Sequence, residues 1–308
     1  MFGGSDVGVE GMIELSALDG NDGFVLNGID DYDYSGGSVS GAGDINGDGV
    51  DDLIIGATGA DPNDNFGAGE SYVVFGGSGV GVGGEVELSA LDGNDGFVLN
   101  GIDASDRAGD SVSSAGDING DGVDDLIIGA TGADPNDNSG AGESYVVFGG
   151  SGVGVGGEVE LSALDGNDGF VLNGIDAGDF SGDSVSGAGD INGDGVDDVI
   201  IGASGADPNG NSRAGESYVV FGIGSAAQCN GLSVTVDLNI NESPTAGDDV
   251  ILGTPTADII NALGGNDTIC GEGGDDIINA GAGNDWIDAG AGDDVIRGNG
   301  GNLSLIHI

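Results

Sequence analysis

A block of 73 residues recurs three times in tandem, and it restricts the fold of this chain more than any other feature. Phe2, Phe75, Phe148 and Phe221 mark its period. Each copy carries the same series of short apolar runs: Glu85-Val86-Glu87-Leu88, Gly96-Phe97-Val98-Leu99-Asn100, Ser111-Val112-Ser113, Asp125-Leu126-Ile127-Ile128-Gly129 and Ser144-Tyr145-Val146-Val147-Phe148. Runs of this length, rich in β-branched and aromatic residues and bounded by Gly, Asn and Asp, predict four or five short strands per copy. A repeating four-stranded unit with one polar loop is what a β-propeller blade requires. The copies differ chiefly in loops, in the approach to the polar loop (Asp31 to Gly37 in the first copy) and after Asp61-Pro62, Asp134-Pro135 and Asp207-Pro208.

The polar loop is Asp44-Ile45-Asn46-Gly47-Asp48-Gly49-Val50-Asp51-Asp52, and it returns letter for letter at 117–125 and 190–198. Oxygen-bearing side chains stand at its first, third, fifth and ninth positions. They are Asp44, Asn46, Asp48 and Asp52, then Asp117, Asn119, Asp121 and Asp125, then Asp190, Asn192, Asp194 and Asp198. The carbonyls of Val50, Val123 and Val196 add a backbone oxygen at the seventh. Gly49 permits the sharp turn, and an all-oxygen donor set suits calcium, a hard cation that takes six to eight such ligands. A helix-loop-helix site would need Glu at the twelfth position, where Ile55 stands, so a strand-loop-strand site is predicted. Asp/Asn/Gly strings also make metal-free turns, and the similar string Asp19-Gly20-Asn21-Asp22 is read as one.

Charge narrows the partners. Asp plus Glu number 55 against three Lys plus Arg, a formal net charge of −52. Nucleic acid and anionic membrane are repelled by such a surface, and bound cations would relieve its self-repulsion. A disordered acidic chain is the bland alternative, and regularly placed β-rich runs in a chain that is 38% hydrophobic argue against it. Seventy glycines at fixed repeat positions predict turns at set intervals. No apolar run is long enough to cross a bilayer, so no membrane insertion is expected. Met1-Phe2-Gly3-Gly4-Ser5 matches the interior of a repeat at Val74 to Ser78, so the chain looks cut at its start and the lack of a signal peptide carries little weight.

The tandem copies resemble the integrin-α type FG-GAP repeat. In the third copy the corresponding stretches are Gly182-Asp183-Ser184-Val185, Gly189 with the loop 190–198, Val199-Ile200-Ile201-Gly202-Ala203 and Gly215-Glu216-Ser217-Tyr218-Val219-Val220-Phe221. The resemblance implies propeller blades with calcium in the loop between a blade's first two strands. The family's Phe-Gly is replaced by Ser35-Gly36, Ala108-Gly109 and Ser181-Gly182, and these departures leave the ligand positions untouched. Three blades are too few for a ring of four to eight, so an incomplete propeller is expected, with open edges that invite self-association.

A second period starts at Asp249 and steps by nine through Asp258, Asp267, Asp276, Asp285 and Asp294, with an isoleucine two residues after each (Ile251, Ile260, Ile269, Ile278, Ile287, Ile296). Glycines precede the later ones. The pattern resembles the RTX, or hemolysin-type, calcium-binding nonapeptide, which folds as a parallel β-roll. Two nonapeptides make one coil, so carboxylates eighteen residues apart stack on one edge. Asp267, Asp276, Asp285 and Asp294 are the expected calcium ligands there, with loop carbonyls; without the ion, stacked Asp rows repel and the roll should not form. The turn before Asp258, Thr254-Pro255-Thr256-Ala257, lacks the glycines and is expected to act as a cap.

The predicted organisation is all-β: FG-GAP propeller blades at 2–222, a linker at 223–247, a β-roll at 248–302, and at 303–308 a tail that continues neither period and is expected to be non-native. Within the linker, residues 232–238 alternate like one further strand. Cys229 and Cys270 imply no disulfide framework, and Cys270 is expected as an exposed thiol. Trp286 is expected in an apolar outer row with Ile259, Ile277 and Val295, and His307 is given no role. No nucleophile elbow, no paired histidines and no lysine base occur, so no enzyme is expected. By resemblance, the chain is expected to be a secreted adhesion or ligand-recognition module, taking a protein or polysaccharide ligand at a bacterial surface or matrix. The alternatives are the accessory region of a secreted hydrolase and a structural surface-layer or matrix protein.

Overall fold

A computed structural model describes residues 14–223, 228–230, 232–238, 243–254 and 256–306. Phe2, the linker string Asn241-Glu242 and His307 lie outside them. The chain forms two compact units that divide between Gly222 and Ile223. Strands and short 3-10 turns make up both, with no α-helix among the described residues.

In the first unit each blade begins with the strand that leads into the polar loop. Ser38–Gly43, Asp52–Ala57 and Glu70–Val74 run antiparallel in that order, and Gly96–Asn100 completes the blade. That outer strand belongs to the next sequence copy. Blade and copy are therefore out of phase, and each copy is fastened to the one before it by a full strand ladder. The second blade is built alike from Ala108–Gly116, Asp125–Ala130, Glu143–Val147 and Gly169–Asn173. The third has Ser181–Gly189, Asp198–Ala203 and Glu216–Val220. The Glu-Val-Glu runs act as edge strands: Glu85–Glu87 lies parallel to Val25–Asn27, and Glu158–Glu160 lies parallel to Gly96–Asn100.

Neighbouring blades meet face to face. Ile54, Val73, Phe97 and Leu99 of the first pack on Val112, Leu126, Ile128 and Tyr145 of the second. Ile127 and Val146 of the second pack in turn on Val185, Val199 and Ile201 of the third. Burying one such aliphatic side chain is worth about 1.5–3 kcal/mol, so these junctions supply much of the unit's cohesion. The sheets come close enough that a side chain on Gly56 or Gly129 would collide with the carbonyl of Gly109 or Gly182 in the next blade.

The second unit is a stack of parallel strands in two sheets. Val236–Asp237, Val250–Leu252, Thr268–Cys270, Asp285–Asp288 and Leu303–Ile306 form one; Ile259–Asn261, Ile277–Ala282 and Val295–Gly300 form the other. From Val250 onward partners are eighteen residues apart, as in Ile251↔Ile269↔Ile287 and Ile260↔Ile278↔Ile296. The isoleucines Ile251, Ile260, Ile269, Ile278 and Ile287 are buried between the sheets with Ala262, Ala280 and Ala289. At Gly283, Gly292 and Gly301 a side chain would run into the carbonyl of Gly265, Gly274 or Gly283 one coil earlier, which is why the turns are glycine-rich.

Three expectations are altered here. Cys229 and Cys270 are joined in a disulfide, with Cα atoms 5.7 Å apart. The hairpin of Gln228–Cys229 and Leu232–Ser233 brings the two sulfurs together across 41 residues, and Cys229 is fully buried. Trp286 sits in register with Thr268 on the sheet opposite the Ile259, Ile277 and Val295 row, because an 18-residue coil places successive nonapeptides on different sheets. Leu303–Ile306 pairs along Asp285–Asp288 as a further strand of the roll, and Val236–Asp237 pairs with Val250–Leu252 at the other end of the same sheet.

The disulfide closes a 41-residue separation, which corresponds to about 4 kcal/mol of chain-entropy stabilisation. Thiol titration of the denatured, unreduced protein should find no free thiol, and Cys270→Ser should lower the melting temperature of the roll while leaving the propeller transition in place. Two titratable thiols would refute the pairing.

Candidate metal centres

In the first polar loop the side chains fold back on the loop's own backbone. The Asp44 carboxylate accepts the N–H of Asp48 at 2.9 Å and of Gly49 at 2.7 Å, Asn46 Oδ1 accepts Asp48 N–H at 2.8 Å, and Asp48 Oδ1 accepts Val50 N–H at 2.9 Å. The same bonds recur around Asp117, Asn119 and Asp121, and around Asp190, Asn192 and Asp194. Gly47 and Gly49, with φ of 74° and 88°, supply the left-handed backbone that this curl needs. The sequence places these oxygens by nested side-chain turns, and in the first loop each oxygen keeps a lone pair beyond the N–H it accepts.

The ninth residue behaves differently. Asp52 is buried; its Oδ2 accepts Ile45 N–H at 3.1 Å and its Oδ1 accepts Gly76 N–H at 2.7 Å. Asp125 makes the equivalent bonds with Ile118 and Gly149, and Asp198 with Ile191 and Gly222. This carboxylate staples the loop to the end of the third strand. Burial pushes Asp52 up to about 6 and Asp125 up to about 7 from an ordinary 3.8, against the opposing pull of the two N–H donors. Asp106, buried on the approach to the second loop, is likewise raised by burial to about 6.

One residue absent from the expected ligand set proves to be structural. Asp124, the eighth residue of the second loop, reaches the previous blade, where its Oδ2 accepts Asp44 N–H at 2.9 Å. Asp197 does the same for Asp117 N–H at 3.1 Å. The three loops are therefore linked in a row along one rim. The signal was present in the sequence, since the eighth position is Asp in all three copies, but an alternating ligand pattern gave it no job.

In the roll the carboxylates stack as the period requires. Asp249 N–H donates to Asp267 Oδ1 at 3.0 Å and Asp267 N–H to Asp285 Oδ1 at 3.1 Å; on the other edge Asp258 N–H donates to Asp276 Oδ1 at 2.8 Å and Asp276 N–H to Asp294 Oδ1 at 2.9 Å. Each aspartate thus caps the coil before it. The second oxygens tell the coils apart. Asp249 Oδ2 accepts Thr245 N–H at 2.7 Å, and Asp258 Oδ2 accepts Thr254 N–H at 2.6 Å. Asp267 Oδ2 and Asp276 Oδ2 are buried with no hydrogen-bond partner among the described residues. Burial raises the affinity of both carboxyls for a proton, with the stacked neighbours adding to it and the capped N–H opposing it.

A buried carboxylate oxygen without a donor costs several kcal/mol unless a cation takes it. Where Thr245 or Thr254 supplies an N–H the coil closes on its own; in the same place before Asp267 and Asp276 stand Leu263 and Glu272, in left-handed backbone with φ of 67° and 70°, and the oxygen is left for a metal. The donor set, carboxylates with glycine-turn carbonyls, fits calcium. Among the described residues no three His, Cys, Asp or Glu side chains stand close enough to form a ready-made cage. Calcium bound at these edges would neutralise the stacked charge and draw oxygens of adjacent turns together.

Family models agree with this architecture. The FG-GAP repeat model matches residues 35–74, 108–147 and 181–220, and the model of the RTX calcium-binding nonapeptide repeat matches 244–278 and 271–302. The fold and the repeats define a calcium-binding repeat protein. More particularly, the chain consists of three FG-GAP propeller repeats followed by RTX nonapeptide coils. No curated protein matches it. Repeats of both kinds are typical of secreted or extracellular proteins, and no helix among the described residues is long and apolar enough to cross a membrane.

Two outcomes are expected. Folded-state values near 6 to 7 for Asp52, Asp125 and Asp106 exceed the ordinary 3.8, so the folded state binds more protons; this contribution to stability is complete below about pH 4 and lost as pH rises through about 7. In chelator the denaturant midpoint of the propeller should therefore fall between pH 4.5 and 7.5, and a rising midpoint would contradict the burial argument. In the roll, Asp276→Asn keeps the acceptor for Asp258 N–H and removes the orphaned charge. It should weaken the roll's calcium response at least about tenfold by loss of ligand charge, whereas Asp258→Asn should leave it nearly unchanged; equal responses of the two variants would count against the assignment.

Proposed function

We propose that this chain is an extracellular adhesion or ligand-recognition module, loaded with calcium in both units and without catalytic activity of its own. The observation that carries the reading is the row of three identical loops, joined through Asp124 and Asp197, along one rim of the blades. In the propeller, calcium would be held by Asp44, Asn46, Asp48 and their counterparts, with the carbonyls of Val50, Val123 and Val196. The ninth aspartates keep the loop attached to its blade and share in the charge. A rim of regularly spaced cations set in an acidic surface is suited to meet the carboxylates or hydroxyls of a protein or polysaccharide at a cell surface or matrix. The roll supports secretion: its orphaned carboxylates favour folding only where calcium is plentiful, outside the cell, and extracellular modules bind it at about 0.1–1 mM.

The absence from the sequence of a nucleophile elbow, of lysine and of paired histidine supports a non-catalytic role. The test is calcium titration by circular dichroism, with Asp117→Ala and Asp276→Ala beside the parent chain, followed by binding to immobilised matrix proteins and polysaccharides. Two separable calcium phases, the propeller phase reduced in Asp117→Ala and the roll phase lost in Asp276→Ala, and saturable binding abolished by chelator are expected. Hydrolysis of an ester or glycoside by the isolated chain, or binding indifferent to calcium, would overturn the reading.

A further inference from the structure

The two blade junctions inside the first unit are copies of one another, polar contacts included. In the first, Ser38 Oγ accepts Val112 N–H at 3.1 Å, Asp124 Oδ2 accepts Asp44 N–H, and Gly150 N–H donates to the Ile45 carbonyl at 2.8 Å. In the second, Ser111 Oγ accepts Val185 N–H at 3.0 Å and Asp197 Oδ2 accepts Asp117 N–H. Each junction joins the trailing face of one blade to the leading face of the next.

The first blade's leading face and the third blade's trailing face repeat these surfaces without a partner blade among the described residues. On the leading face Val39 is 65% exposed and Leu53 37%, whereas Val112, Val185, Leu126 and Val199, in the same places, are at most 6% exposed. On the trailing face Ile191, Ile200 and Val219 are 58%, 37% and 44% exposed, whereas Ile118, Ile127 and Val146 are at 0%. The backbone is open there as well. A side chain on Gly116 would collide with Asp197 of the next blade, and one on Gly129 with the Gly182 carbonyl; Gly189 has nothing within 4 Å, and Gly202 meets only its own blade's Ser184. The polar halves are likewise present, with Ser184 and Asp190 N–H standing where Ser38 and Asp44 N–H stand, and Asp51 standing where Asp124 stands.

We infer that the occupant of these faces is a second copy of this chain, docked head to tail so that the third blade of one copy meets the first blade of the other. The chain supplies its own proof of fit, because the same two surfaces already mate twice within it. The residues that would close the junction are those of the internal ones: Asp51 of one copy on Asp190 N–H of the other, Ser184 on Val39 N–H, and Ile200 and Val219 against Leu53 and Val39. Two different faces pair, so the contact is heterologous; it either closes on itself or propagates.

Sedimentation velocity of the full chain in calcium-containing buffer tests this, with Val39→Glu and Ile200→Glu as the two face variants. Both positions are exposed in the single chain, and circular dichroism confirms that each variant folds. The parent chain should associate as its concentration rises. Each variant alone should associate at least about tenfold more weakly, the cost of about 1.4 kcal/mol or more at the junction. An equimolar mixture should recover a two-chain species, since the mixture still offers one intact leading and one intact trailing face. A parent chain that stays monomeric, association that survives both substitutions, or one variant that still pairs with itself while the other does not would overturn the inference.

Discussion

The structure depends on one interaction used over and over: a carboxylate oxygen accepting a backbone N–H. It curls the polar loops, staples them to the third strand, joins one blade's loop to the next, and caps every coil of the roll. Such charge-assisted bonds are stronger than neutral ones and satisfy donors that loops would otherwise leave exposed or unpaired. They also concentrate negative charge, and three arginines among 55 acidic residues cannot offset it. Two unit charges 4 Å apart repel by about 1 kcal/mol in water and by about 4 kcal/mol at the effective dielectric of a protein surface. The device that organises the backbone is thus the one that creates the demand for cations.

The two units meet this demand on different geometries. In the blades the repeat is lateral: each loop's side-chain turns close within its own copy, and the eighth aspartate and the Gly150 N–H on Ile45 cross to a neighbour. Aliphatic faces carry the cohesion, and the loops are added along a rim. In the roll the repeat is axial: Asp267, Asp276, Asp285 and Asp294 each bond the coil before through one oxygen, and the second oxygens of Asp267 and Asp276 are left without a donor among the described residues. One row of isoleucines from each sheet, with Ala262, Ala280 and Ala289, gives the roll a narrow core, too small to hold stacked charge together alone. The roll should therefore depend on the ion for folding, and the blades for reinforcement.

Much of this was legible in the letters. The period of 73, the strand positions, the strand-loop-strand setting of residues 44–52 and the inward isoleucines at a step of nine follow from pattern alone, because alternation and turn chemistry leave few other folds. The rest was hidden by distance. The phase shift between copy and blade was not readable, since a strand donated by the next copy looks the same as one kept. Nor was the Cys229–Cys270 bond, which needs a hairpin inside an aperiodic segment. The eighth aspartate was missed because its partner lies 80 residues away, and the staple that the ninth makes to Ile45 and Gly76 was not foreseen beside its reading as a ligand. The part played by Thr245 and Thr254 emerged only once Asp249 and Asp258 were seen to receive an N–H from them.

Near-identity of the copies has a physical consequence of its own. In a propeller of diverged blades each junction is shaped for one neighbour, and a wrong pairing leaves voids and unmatched polar groups. Here Ser38 and Ser111, Asp124 and Asp197, and the aliphatic pairs around them are interchangeable, so any trailing face fits any leading face. Discrimination between a neighbour in the same chain and one in another then rests on tethering alone, which favours the former through effective concentration and leaves chemistry neutral. Tandem copies that are this alike gain a simple route to larger assemblies and give up control over which blade meets which. The surrounding negative charge restores part of that control, because two acidic chains approach closely only where cations screen them.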